Sequence, residues 1–204
     1  FIRKDDALVV IINKTNHYKS GSVSAKMIYT VASDGKIDLE TTFIPNGILP
    51  ELPRLGIAFS LNSELENYSW YGLGPWENYP DRKTSATFGL WKSTVTNQAE
   101  KYPRPQETGN HEEIRFLTLS NFKNKGIKIS AVENDFSASA IHFSASDLAN
   151  ETYECNLIPR KEIILSIDCA VLGLGNSSCG PGVLKKYSID KKEHTLHIRI
   201  QKAP

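Results

Sequence analysis

Residues 23–31 and 36–44 are two strand-like runs joined by Ser33-Asp34-Gly35, and this pairing restricts the fold more than any other feature of the chain. An Asp-Gly step supplies the positive φ that a tight hairpin needs, so the two runs fold back on each other antiparallel. In the second run Ile37, Leu39, Thr41 and Phe43 share one face, while Lys36, Asp38 and Glu40 share the other. A period of two marks a sheet with one packed and one wet face. The same grammar recurs, and residues 54–61, 69–71, 84–91, 113–119, 126–132, 138–143, 162–169 and 195–200 all read as short strands. Strands at roughly ten-residue spacing, with Gly and Pro in the connections, predict an all-β antiparallel sandwich or barrel. No long amphipathic helix interrupts the pattern, which excludes a parallel α/β fold. One helical turn is expected over 146–150 with Ser146 as its N-cap, because a hydroxyl there accepts from an orphan N–H.

Composition then sets the class. The 204 residues are 40% hydrophobic and 23% charged, enough to build a sizeable core. No repeat, low-complexity tract or linker divides them, so one domain, 1–204, is expected. The 24 Lys+Arg and 23 Asp+Glu leave a net charge of +1, which argues against a nucleic-acid partner. The longest apolar runs, such as Ala7 to Ile12, fall far short of the ~20 residues that cross a bilayer, so no membrane partner is expected. Cys155, Cys169 and Cys179 have no close pair and no neighbouring His at metal-ligand spacing, which speaks against zinc. The compartment stays open.

The segments least like strands are 73–83, 98–111 and 173–183, and loops on a rigid scaffold are where sites usually lie. The first contains Trp76, Glu77, Asn78, Tyr79, Asp81 and Arg82, a dense mixture of aromatic and charged groups. One reading makes it a sugar-gripping surface. The other, which elementary chemistry favours, makes it a structural turn pinned by Trp76 and Tyr79, with the planar fork of Arg82 reaching carboxylates and carbonyls.

The run Gly72-Leu73-Gly74-Pro75-Trp76-Glu77-Asn78-Tyr79-Pro80-Asp81-Arg82 closely resembles the G-x-G-P-x-E-N-Y-P-D-R signature of the C-terminal domain, with its small-chain counterparts, of family 2 glycoside hydrolases of the β-galactosidase type. Pro105-Gln106-Glu107-Thr108-Gly109 resembles that family's P-Q-E-x-G loop, and His142-Phe143-Ser144-Ala145, Ile167-Asp168 and Gly173-Leu174-Gly175 follow in the expected order. The resemblance implies a β-supersandwich related to galactose mutarotase, placed at the end of a multidomain enzyme that hydrolyses β-galactosides. It implies that the catalytic carboxylates sit on a barrel elsewhere, that this chain holds no cofactor, and that any Mg or Na ions belong to the full-length enzyme. Its partners would be the remaining domains and a galactoside at the assembled site. No catalytic residue is assigned here: a retaining glycosidase needs two carboxyls about 5–5.5 Å apart, and Glu112 and Glu113, adjacent on a strand, are expected to face opposite ways. Isolated, the chain is expected to be inactive.

In that family the loop after the second G-x-G presents a tryptophan to the sugar. Here Cys179 takes the place, and a thiol offers far less flat apolar area than an indole. Cys179 is open to three readings: a small filler in a turn, a wall of the sugar site, or a nucleophile that lacks any nearby base. Asn176, Ser177 and Ser178 are candidates to hydrogen-bond sugar hydroxyls, though Asn and Ser beside Gly are also ordinary turn formers. Glu107 and His111 complete the candidate substrate-binding set, with a satisfied loop histidine as the plainer reading of His111. Alternative functions are a carbohydrate-binding module and a mutarotase-like epimerase. Trp70, Tyr71, Phe88 and Trp91 are expected to pack in the core and between domains, and an apolar face left by absent neighbours would favour a homo-oligomer.

Overall fold

The computed structural model describes residues 2–4, 7–176 and 179–203. Its strands are β1 (Ile2–Lys4), β2 (Ala7–Tyr18), β3 (Ser20–Ala32), β4 (Ile37–Ile48), β5 (Arg54–Leu61), β6 (Asn67–Gly74) and β7 (Thr87–Thr94). These are followed by β8 (His111–Ile114), β9 (Phe116–Ser120), β10 (Gly126–Ala131), β11 (Phe136–Ile141), β12 (Ile163–Val171) and β13 (His194–Lys202). Every strand pair is antiparallel, as the spacing predicts. One sheet runs β1-β2-β3-β4-β13-β10-β9-β6-β7 and the other β5-β12-β11-β8.

The hairpin is where Asp34-Gly35 places it. Gly35 has φ 81°, the Ala32 N–H donates to the Lys36 carbonyl at 2.9 Å, and Val31 pairs with Ile37. Leu39, Thr41 and Phe43 are buried, and Glu40 is exposed. Between the sheets, Leu117, Leu119, Ile129 and Ile198 of the large sheet join Ile163, Leu165 and Ile167 of the small one. Each is essentially without solvent contact and stabilises the fold by roughly 1.5–3 kcal/mol. Tyr68 stacks on Trp70 with centroids 5.0 Å apart, and the indole N–H donates to the Leu73 carbonyl at 2.9 Å.

Three local expectations need correction. The helix is Ala145–Asn150, capped by Ser144 rather than Ser146, because Asp147 three residues on returns a bond to the Ser144 N–H at 2.7 Å. The strand expected over 84–91 starts at Thr87, since residues 83–86 form a turn with Ala86 N–H donating to the Lys83 carbonyl. The strand expected over 113–119 is broken at Arg115, and Glu113 has φ 58°. That kink cancels the alternation of Glu112 and Glu113, so both reach Lys83, at 3.6 and 2.9 Å.

Candidate functional site

After β6 the chain turns back through residues 75–82, crossing a cis Gly74–Pro75 peptide, and the polar side chains of this turn bond to two other loops. Asn78 has no exposed surface. Its backbone N–H donates to the Asn110 carbonyl at 2.8 Å, its amide donates to the Trp76 carbonyl at 3.0 Å, and its side-chain oxygen accepts from the Glu112 N–H at 2.8 Å. Glu77 accepts from the Tyr102 hydroxyl, from the Thr108 hydroxyl at 3.1 Å and from the Gly109 N–H at 2.7 Å. Gly109 has φ 75°, and a Cβ there would lie 2.9 Å from the Gln98 carbonyl oxygen, so only glycine offers this N–H. Tyr79 is buried and its carbonyl accepts from the Arg82 N–H at 2.8 Å. Burial first, then the charges of Glu107 and Glu77, push its hydroxyl far above the usual phenol range.

The same turn holds the start of the third loop. The two oxygens of Asp81 accept from the N–H groups of Leu174, at 3.0 Å, and Gly175, at 2.8 Å. Arg82 donates to the Gly175 carbonyl at 2.8 Å. Gly175 has φ 62° and sits against Val183, a conformation and a clearance that no side chain fits. Loops 98–111 and 173–176 are thereby brought to one open cleft of about 690 Å³, lined by Arg82, Tyr102, Arg104, Glu107, Leu174 and Gly175 among others. On its far side the loop at 99–108 walls a mostly apolar cavity of about 440 Å³, together with Val95, Phe143, Leu148, Leu157 and Pro159.

Glu107 is in the cleft wall, where it accepts from Arg54 at 2.6 Å. Arg54 also faces Asp168, 3.4 Å away and 1% exposed, whose Oδ2 finds no hydrogen-bond partner among the described residues. Burial raises the Glu107 carboxyl, with Glu77 adding and Arg54 opposing. Next to this group, Glu112 accepts from Asn110 at 2.8 Å and Ser137 at 2.7 Å. Arg54 was read from sequence only as a strand start. The one signal for its partner is a charge, Asp168, inside the apolar run 163–171.

The other candidate residues are placed differently. His111 is the first residue of β8, not a loop histidine: it lies in the core, stacked on Trp70 with centroids 4.0 Å apart. Its Nε2 pairs with Gln98 Oε1 at 2.7 Å, while Nδ1 has no partner among the described residues, so it is only half satisfied. Asn176 is exposed, its carbonyl accepting from the Cys179 N–H at 3.0 Å. Cys179 is a free, exposed thiol, which removes the reading of a buried filler. Trp76 is 66% exposed rather than folded over the turn. Ser177 and Ser178 lie outside the described residues. Among the described residues no cluster of His, Cys, Asp and Glu is arranged to hold a metal, and no helix is long and apolar enough to cross a membrane.

His111 and Asp168 titrate in opposition. Burial pushes His111 down to about 3 from 6.5, so unfolding takes up a proton in that window and acid favours the unfolded chain. Asp168 is pushed up to about 7 from 3.8, by burial first and by Glu107 and Glu112 against Arg54, so folding takes up a proton there and acid favours the folded chain. Each effect is of order 4 kcal/mol at full extent, and between about pH 4 and 6.5 they offset each other. Denaturant midpoints across that window should therefore fall with acid in Asp168→Asn and rise with acid in His111→Gln. Parallel profiles for both variants and the parent would overturn the pairing.

Residues 3–200 match the family model described as beta galactosidase small chain. Among curated relatives, the β-galactosidase of Staphylococcus xylosus is 35% identical over 152 residues, which cover 74% of this chain and 15% of that protein. The β-galactosidase of Priestia megaterium is 31% identical over 81% of this chain and 16% of its own length, and that of Lactococcus lactis is 30% identical over 95% and 19%. The chain thus spans less than a fifth of each of these relatives. With the family model matching almost end to end, the chain belongs to the β-galactosidase small-chain family.

Proposed function

We propose that this chain is a non-catalytic β-sandwich of a β-galactosidase, bracing the assembly and holding the loop at 173–182 at the rim of an active site whose carboxylates lie in other parts of the enzyme. The observation that carries this reading is the division of labour in the turn at 75–82. Glu77 and Asp81 spend their oxygens on N–H and O–H groups of two other loops, as a scaffold does, and are not left free for chemistry. The loops so held line a cleft whose Tyr102, Arg104 and Gln106 offer an aromatic ring and several donors, groups suited to sugar hydroxyls and C–H faces. Glu112 and Glu113 are likewise engaged, both facing the ammonium group of Lys83.

The epimerase alternative loses its candidate proton donor, because His111 is buried against Trp70 and held neutral at any ordinary pH. On the proposed reading the isolated 204-residue chain releases no nitrophenol from a nitrophenyl β-galactoside under conditions where the full-length enzyme turns over. Turnover by the isolated chain, abolished by one carboxylate substitution within it, would sink the proposal.

A further inference from the structure

The large sheet is more than twice as wide as the small one, and at its β1–β3 end no residue of β2 is fully buried. β1 pairs only with Ala7, Leu8 and Val9, so from Val10 to Tyr18 β2 is hydrogen-bonded to β3 alone among the described residues. Exposure rises steadily toward this edge along rows of paired residues. In the row Ile198–Leu39–Tyr29–Val10 the first two are fully buried and the last two half-buried. On the same face of β2 as Val10, Leu8 is 41% and Ile12 43% exposed. On the opposite face Ile11 is 45% exposed, beside Ile28.

A strand that is apolar on both faces reads as an interior strand, whereas natural edges are interrupted by charge or proline. Residues 7–13 of β2 carry neither, and Lys14 is the first charge along the strand.

We propose that the β2 edge and the two faces flanking it are an acceptor for a strand-bearing apolar segment of the same β-galactosidase polypeptide, one that pairs along residues 10–18 and packs on Leu8, Ile11 and Ile12. This rests on the reading of the chain as part of a larger enzyme. A second copy meeting the edge through a two-fold axis would lengthen the ladder but leave both apolar faces of β2 open, so it fits less well. A segment from a longer chain can supply strand and covering layers together. The relatives provide the length for it, since this chain spans only 15–19% of each of the three described above.

Hydrogen–deuterium exchange, compared between the full-length enzyme and the isolated chain, reads the edge directly. Amides in 10–18 that point away from β3 should exchange roughly a hundred-fold more slowly in the full-length enzyme, while those of β4 and β13 behave alike in both. Ile12→Asp should lower the melting temperature of the full-length enzyme and leave that of the isolated chain unchanged. Equal exchange at 10–18 in the two proteins would overturn the proposal. So would an isolated-chain dimer that Ile12→Asp dissolves while the full-length edge stays unprotected, an outcome that assigns the edge to a second copy. Galactosidase turnover, measured on the same full-length preparation, separates the two readings. Turnover with an unprotected edge removes only the acceptor proposal, and a protected edge without turnover removes only the functional one.

Discussion

Replacing Arg54 with Ala should cost the isolated chain about 3–5 kcal/mol at pH 8 and about 1 kcal/mol less at pH 5. Arg54 stands between two carboxylates, 2.6 Å from Glu107 and 3.4 Å from Asp168. Without it Asp168 keeps a buried oxygen with neither cation nor hydrogen bond, and Glu112 and Glu107 lie close enough to raise its proton affinity further. Rearrangement offers little relief, because Asp168 packs against Gly56, where even a Cβ would collide with the carboxylate. The pH dependence follows from the sign of the shift. Asp168 titrates at about 7 in the fold, so at pH 5 it already carries its proton and needs no counter-ion, whereas at pH 8 the variant must take up a proton that the parent does not, at about 1.4 kcal/mol per pH unit above 7. A loss of this size is a large share of the 5–15 kcal/mol that holds a typical domain together. Adding Asp168→Asn to Arg54→Ala should restore most of the alkaline loss by removing the stranded charge. Denaturant unfolding of the three proteins at both pH values decides it. A penalty equal at pH 5 and pH 8 would mean that Arg54 serves by packing its stem alone.

What could be read from sequence depended on how local its cause was. The hairpin at Ser33-Asp34-Gly35 was legible because both turn chemistry and period-2 burial act within a dozen residues. The helix cap was legible too, had the whole capping box been weighed. Three residues after Ser146 stands Ala149, which cannot return a hydrogen bond, whereas Ser144 has Asp147 in that place. The break at Glu113 was not legible, since a positive φ in a non-glycine residue is imposed by surroundings such as Lys83 and Asn78, far away in sequence. The Arg54–Asp168 pair was hidden for a similar reason. Its members come together only through the register that sets Gly56 opposite Asp168 across β5 and β12, with a bulge in β12 between Asp168 and Ala170. In the turn at 75–82 the residue types alone suggested a pin as readily as a sugar grip. Only the destinations of their bonds, loops 30 and 90 residues downstream, tell which groups are already engaged.

Those engaged bonds give the functional reading its sharpest consequence. In the full-length enzyme Asp81→Ala should lower kcat/KM about a hundred-fold without unfolding the domain, because misplacing a positioning element by about an ångström costs that much when it contributes to a reacting geometry. Three bonds from the turn at 75–82 help set the direction in which the loop at 173–182 leaves the sandwich: Asp81 to the N–H groups of Leu174 and Gly175, and Arg82 to the Gly175 carbonyl. Asp81→Ala removes two of them, at a stability cost of roughly 1.5 kcal/mol apiece at this half-buried carboxylate, below the 5–15 kcal/mol that holds a typical domain together. Asp81→Asn keeps one acceptor and so should fall between the parent and Asp81→Ala, about ten-fold down. Exchange at amides 174–176 should rise in the same order as activity falls. Were those amides to loosen while kcat/KM stayed at the parent value, the loop would have no part in the reaction. The sandwich would then be a brace alone, with its bonds to 174–175 serving only to close its own surface.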